Sequence, residues 1–89
     1  MEFKVVEETK IRLVFQLIGE THTFCNILKE ELLRVEGVEV ATYTIAHPLI
    51  GVPEFYLETK GIEPRKALKD ALKNLKKKAE EFQKEVAKL

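Results

Sequence analysis

The sequence predicts an α+β domain of two layers: a ββαββα order, a four-stranded antiparallel sheet, two helices on one face of it, and a long C-terminal helix. Three observations predict this. Residues 11–18 alternate apolar and polar with period two, as a half-buried strand does. Residues 22–35, and everything after Pro64, change to helical spacing. The connections are short and marked by glycine or proline, which favours antiparallel neighbours.

The elements follow in order. Residues 3–8 (FKVVEE) and 11–18 (IRLVFQLI) read as strands. In the second, Ile11, Leu13, Phe15 and Leu17 form one apolar face, against Arg12, Val14, Gln16 and Ile18 on the other. Gly19 stops it. Thr21 or Thr23 can cap a helix over residues 22–35, because a hydroxyl there accepts from a free amide of the first turn. Phe24, Ile27, Leu28, Leu32 and Val35 cover an arc of about 140° on that helix, and Cys25 joins it. Such an arc is wide for a helix that touches only a sheet. Glu31 falls inside it, and a charge among apolar neighbours needs a partner. The expectation is a cation at the rim of an interface.

Gly37 ends that helix. Residues 38–47 (VEVATYTIAH) and 54–60 (EFYLETK) read as the third and fourth strands, rich in β-branched and aromatic residues. Between them HPLIGVPE has turn residues but also Leu49, Ile50 and Val52. Either this loop folds back on the core or something else covers it. Gly61 breaks the fourth strand, and Pro64 suits the first turn of a helix running to the C-terminus.

On that last helix Leu68, Leu72, Leu75, Ala79, Phe82, Val86 and Leu89 are spaced alternately four and three apart, a heptad seam. The rest of its surface is mostly Lys and Glu. Length gives the seam its meaning. About 25 helical residues span about 38 Å, whereas a strand of seven or eight residues spans about 25 Å. The last two turns therefore overhang the sheet, with Phe82, Val86 and Leu89 on them. Burying each such side chain is worth about 1.5–3 kcal/mol, against a net stability of about 5–15 kcal/mol for a whole domain. A partner helix is the expected cover.

The bulk properties agree. The 89 residues make a single domain, 1–89, of ordinary hydrophobic content at 45%. Net charge is zero, which argues against a dedicated nucleic-acid binder. The charge is uneven: residues 1–59 hold five Lys/Arg and ten Asp/Glu, and residues 60–89 hold ten and five. No apolar run approaches a membrane span, and MEFKVVEE is not a signal peptide. With one cysteine and no internal disulfide possible, a cytoplasmic setting is expected.

Chemistry finds little to stand on. His22 and Cys25 lie three apart on one helix, and His47 is distant. Zinc needs three or four convergent ligands, and no CxxC or HExxH spacing exists. A Cys–His nucleophile would lack both an orienting acid and an oxyanion loop. No nucleotide-binding glycine motif is present, and no cofactor is expected. Lys76, Lys77 and Lys78 are consecutive and so spread around the helix as a solvated surface.

Two blocks carry a family resemblance. Gly19-Glu20-Thr21-His22-Thr23-Phe24-Cys25-Asn26-Ile27-Leu28 resembles the signature of the small alpha-like subunit family of archaeal DNA-directed RNA polymerase, subunit L. The segment from Tyr43 through Ala46-His47-Pro48-Leu49-Ile50-Gly51 to Pro53-Glu54-Phe55 resembles its second block, and Pro64-Arg65-Lys66-Ala67-Leu68 the start of its final helix. Many members read Leu-Gly where this chain has Phe24-Cys25, a departure that leaves the apolar pattern intact.

The resemblance implies the dimerisation domain of the bacterial polymerase alpha subunit. It implies a heterodimer with the larger of the two alpha-like RNA polymerase subunits, designated D in archaea, then assembly with small and catalytic polymerase subunits. It implies a non-catalytic role within a nucleotidyltransferase complex, since the family leaves the catalytic magnesium to the largest subunit. Direct contact with nucleic acid or membrane is not expected. The expected subunit interface is Phe24, Ile27, Leu28, Glu31 and Leu32 on the first helix, with Leu68, Leu72, Leu75, Ala79, Phe82 and Val86 on the second. A self-pairing regulatory or small-molecule-binding domain would explain the same seam. A small metal hydrolase or thiol enzyme is a third reading.

Overall fold

The computed structural model describes residues 2–45 and 51–89. The elements are β1 (Glu2–Glu8), β2 (Arg12–Ile18), α1 (His22–Leu33), β3 (Val38–Ile45), β4 (Pro53–Thr59) and α2 (Pro64–Ala87). This is the predicted ββαββα order. Boundaries shift by a residue or two, and α1 stops at Leu33 where the apolar pattern had suggested residue 35. Ala46 to Ile50, which include His47 and most of the apolar loop, lie outside the described residues. Of the rest of that loop, Pro53 is buried at the start of β4.

The sheet is antiparallel in the order β1-β2-β4-β3, so β4 inserts between the two strands that α1 connects. Register explains which residues face the helices. Phe15 stands opposite Phe55, and Phe55 opposite Tyr43. Phe3, Phe15, Phe55 and Tyr43 form a tier across all four strands, with ring centroids 5.0 to 5.1 Å apart, and His22 of α1 meets its end at 5.4 Å. Leu13, Leu17, Leu57 and Ala41 complete the sheet's side of the core. Cys25, Leu28 and Leu32 from α1 and Leu68 and Ala71 from α2 close it. Ile11, assigned above to the apolar face, is exposed, because β2 begins one residue later.

A bulge at Val6 shifts the phase of β1, so that Glu8 lies opposite Leu13 on the helix face and Glu7 opposite Val14 on the outer face. Each carboxylate then finds a cation. Arg65 in the first turn of α2 donates to Glu8 through two nitrogens, which holds the Glu8 carboxyl below the ordinary glutamate range. On the outer face Arg12 lies 3.6 Å from Glu7 and 3.7 Å from Glu58.

Local chemistry sets the helix ends. Thr21 caps α1, its hydroxyl accepting from the Phe24 amide at 3.1 Å. Gly37 turns the chain into β3 at a φ of +94°, and a Cβ there would stand 2.6 Å from the Ile62 side chain and 2.9 Å from the Lys60 carbonyl. Both the backbone conformation and the close approach require glycine. Pro64 opens α2, as its fixed φ and missing amide suit a first turn.

Among the described residues both outer strands have an unpaired edge, and the two edges differ. β1 carries Glu2, Lys4, Glu7 and Glu8 as well as the bulge. β3, with the sequence VEVATYTI, carries a single charge at Glu39.

Candidate pairing surface

The helices pack mainly on β2, β3 and β4, and on each other. Among the described residues two apolar regions are left without cover. One is the helix side of β1, where Phe3 is 40% exposed. Between it and the helices lies a cleft of about 260 Å³, lined by Phe3, Phe15, Leu17, Phe24, Leu28, Leu68 and Leu72, with Arg65 and Lys69 at its rim. The other is the far half of α2. Every residue from Lys76 to Leu89 is exposed, and the helical part of this, to Ala87, is roughly three turns, longer than the overhang expected from strand length alone. Phe82 is 70% exposed and Val86 50%.

The two regions join. Leu72 lines the cleft and is 43% exposed. From there Leu75, Ala79, Phe82 and Val86 continue the same stripe at helical spacing. The result is one apolar surface that starts as a groove beside β1 and runs out along a bare helix. Monomers rarely expose a large contiguous apolar patch of this kind without using it.

The predicted interface residues separate into two sets on this frame. Ile27, Leu72, Ala79, Phe82 and Val86 are exposed, and Phe24 and Leu75 are half-buried against the core. Leu28, Glu31, Leu32 and Leu68 are not surface residues of this chain: Leu28 and Leu32 are essentially sealed, and Glu31 and Leu68 nearly so. The physical reason is that α1 packs on β3 and α2 together, so the middle of its wide arc faces home. Leu28 and Leu68 reach the surface only as lining of the cleft.

Phe3 belongs to this surface although periodicity does not single it out. It sits on the helix side of a strand whose alternation is blurred by the Val6 bulge. The one available signal is Phe3 and Val5 alternating with Lys4.

Glu31 does have its cation, but from its own chain. Lys78 of α2 donates to it at 2.8 Å and Arg34 at 3.2 Å. The hydrogen bond from Lys78, followed by the two positive charges, holds the carboxyl below a glutamate's ordinary 4.5 against the opposing effect of burial. No periodicity within α1 could have named Lys78, because the contact depends on how two helices cross.

Of the groups considered for catalysis, Cys25 and His22 serve the fold. Cys25 is fully buried, and burial, with the charge of Glu20 behind it, pushes its thiol up and away from the reactive thiolate. The His22 ring bonds the Tyr43 hydroxyl through Nδ1, tying the start of α1 to β3. Among the described residues no three metal-ligating side chains lie together, and no helix is long and apolar enough to cross a membrane.

Residues 12–85 match the RNA polymerase Rpb3/Rpb11 dimerisation domain. The chain is 47% identical over 73 residues to DNA-directed RNA polymerase subunit Rpo11 of Archaeoglobus fulgidus, covering 80% of this chain and 83% of that one. To the Rpo11 subunit of Methanothermobacter thermautotrophicus it is 38% identical over 82 residues, covering 92% of each. A crystal structure of DNA-directed RNA polymerase subunit L from Thermoplasma acidophilum superposes with a TM-score of 0.88 at 30% identity, over 98% of this chain and 86% of that one.

Proposed function

The chain belongs to the RNA polymerase Rpb3/Rpb11 dimerisation-domain family, and from that premise we propose that it is a non-catalytic assembly subunit of a DNA-directed RNA polymerase. In this reading it forms a heterodimer with the larger alpha-like subunit, and the pair is the platform on which the small and catalytic subunits gather. The observation that carries the reading is the bare half of α2: fourteen consecutive exposed residues, 76–89, holding Phe82 and Val86 on one stripe.

The exposed stripe and the cleft support an assignment of the interface. Ile27, Leu72, Ala79, Phe82 and Val86 contact the partner directly, and Phe24, Leu75 and Phe3 border the contact. Leu28 and Leu68 receive a partner side chain through the cleft, while Leu32 supports the surface from beneath. Desolvating large aromatic and aliphatic side chains at the centre of such a contact supplies most of its energy. Nothing in the role asks this chain for a reactive group, a cofactor, or contact with nucleic acid or membrane, and a cytoplasmic place is consistent with it.

Light scattering of the purified chain, alone and mixed with the larger alpha-like subunit, tests the proposal. A one-to-one complex is expected on mixing. A stable homodimer that ignores the larger subunit would defeat it and favour a self-pairing domain instead.

A further inference from the structure

We propose that Glu31 is a positioning residue: through Lys78 it fixes the direction in which the bare half of α2 leaves the domain, so that the stripe is aligned before a partner arrives. The inference rests on the pairing role proposed above.

Three observations support it. The first is place. Leu75 is the last residue of α2 packed on the core, and Lys78 stands about one turn further along. Beyond it, the only ion pair on α2 among the described residues is Glu85–Lys88, which lies within the helix and anchors nothing. The second is direction. Glu31 accepts from both Arg34 and Lys78, but Arg34 caps α1 itself and cannot orient α2. Only Lys78 crosses between the helices. The third is burial. Glu31 is 3% exposed. A carboxylate so placed holds its cations more firmly than a surface one, because releasing Lys78 would leave a desolvated charge with Arg34 alone. A surface pair such as Lys66–Asp70, which also lies within one helix, carries no such obligation.

The lever makes the effect large. About nine helical residues lie beyond Lys78, a length of roughly 14 Å. A tilt of α2 by about 20° on its bed would carry the tip roughly 5 Å aside. Packed helix axes stand only about 8–10 Å apart, so a stripe displaced that far misses its partner's grooves. Holding it in line beforehand removes an ordering cost from association.

Two variants of the full chain test this: Lys78→Met, which keeps the apolar stem and removes the charge, and Lys78→Arg, which keeps both charge and donor. Three quantities are read: the urea midpoint, the backbone residual dipolar couplings of residues 79–87 in the isolated chain, and the dissociation constant with the larger alpha-like subunit. For Lys78→Met the midpoint should fall only slightly, because Arg34 still pairs with Glu31, the couplings should depart from the wild-type orientation, and the dissociation constant should rise about tenfold as pre-alignment is lost. Lys78→Arg should restore both. The proposal is overturned if Lys78→Met keeps wild-type couplings, if its midpoint falls in step with pairing, or if Lys78→Arg rescues neither. Should the wild-type chain fail to bind the larger subunit, the pairing role falls, while the couplings still decide whether Glu31 aims the helix.

Discussion

Leu68 and Phe82 sit on the same seam of the same helix, two heptads apart. Leu68 is 8% exposed and Phe82 70%. The first half of α2 rests on β2, β4 and α1, with Ala67 and Ala71 fully buried so that the helix can lie close. Among the described residues the second half is exposed throughout, and its one ion pair to the rest of the domain is Lys78–Glu31. The difference teaches what an apolar stripe means. It states that a helix face is to be covered, and is silent about which molecule covers it. Where the stripe outruns the sheet, the chain's own core stops covering it without any change in the pattern.

The largest effect that would break this comparison is expected at Ala71→Asp. An unpaired charge would enter a sealed core, and the domain should lose more than about 4 kcal/mol. Urea denaturation followed by circular dichroism reads this directly, and a near-normal midpoint would mean that the first half is not what holds the fold. Next comes Phe82→Asp. The isolated chain should keep its stability to within about 0.5 kcal/mol, while pairing with the larger alpha-like subunit weakens by about 2–4 kcal/mol. Equal losses in both assays would place the helix end at home.

The smallest effect sharpens the boundary between the halves. Glu31 and Glu8 both have carboxyl pKa values lowered in the folded chain. The stability each contributes is therefore complete above the ordinary glutamate value and disappears as pH falls through the lowered one. Across a series from about pH 5 to about pH 2, Glu31→Gln should flatten the fall in the urea midpoint more than Glu8→Gln does. Glu8 is exposed to solvent screening and Glu31 is not. The reverse ranking would mean that the Glu31 contact adds little across the boundary.

Much of the fold was legible because short-range rules decide it. The alternation in β2, the Thr21 cap, the Gly37 turn and Pro64 at the head of α2 each follow from local sterics and hydrogen bonding. The existence of an uncovered seam was legible too, since it needs only two lengths. What stayed hidden depends on how elements cross. The inward turn of Leu28 and Leu32 follows from α1 packing on β3 and α2 at once. The partner of Glu31 lies 47 residues away. The exposure of Phe3 follows from the helices stopping short of β1. None of these is encoded in the spacing of residues along one element.

The two free edges of the sheet have a consequence for how copies of this chain could stack. Indefinite growth would set the β1 of one molecule beside the β3 of the next. The charges and bulge on β1 oppose that contact. Two β3 strands meeting antiparallel about a two-fold axis face no such obstacle, and each would consume the only receptive edge of the other. An association of that geometry closes on itself at two molecules. That asymmetry between the two edges favours a sheet-to-sheet contact that ends at two molecules over one that grows.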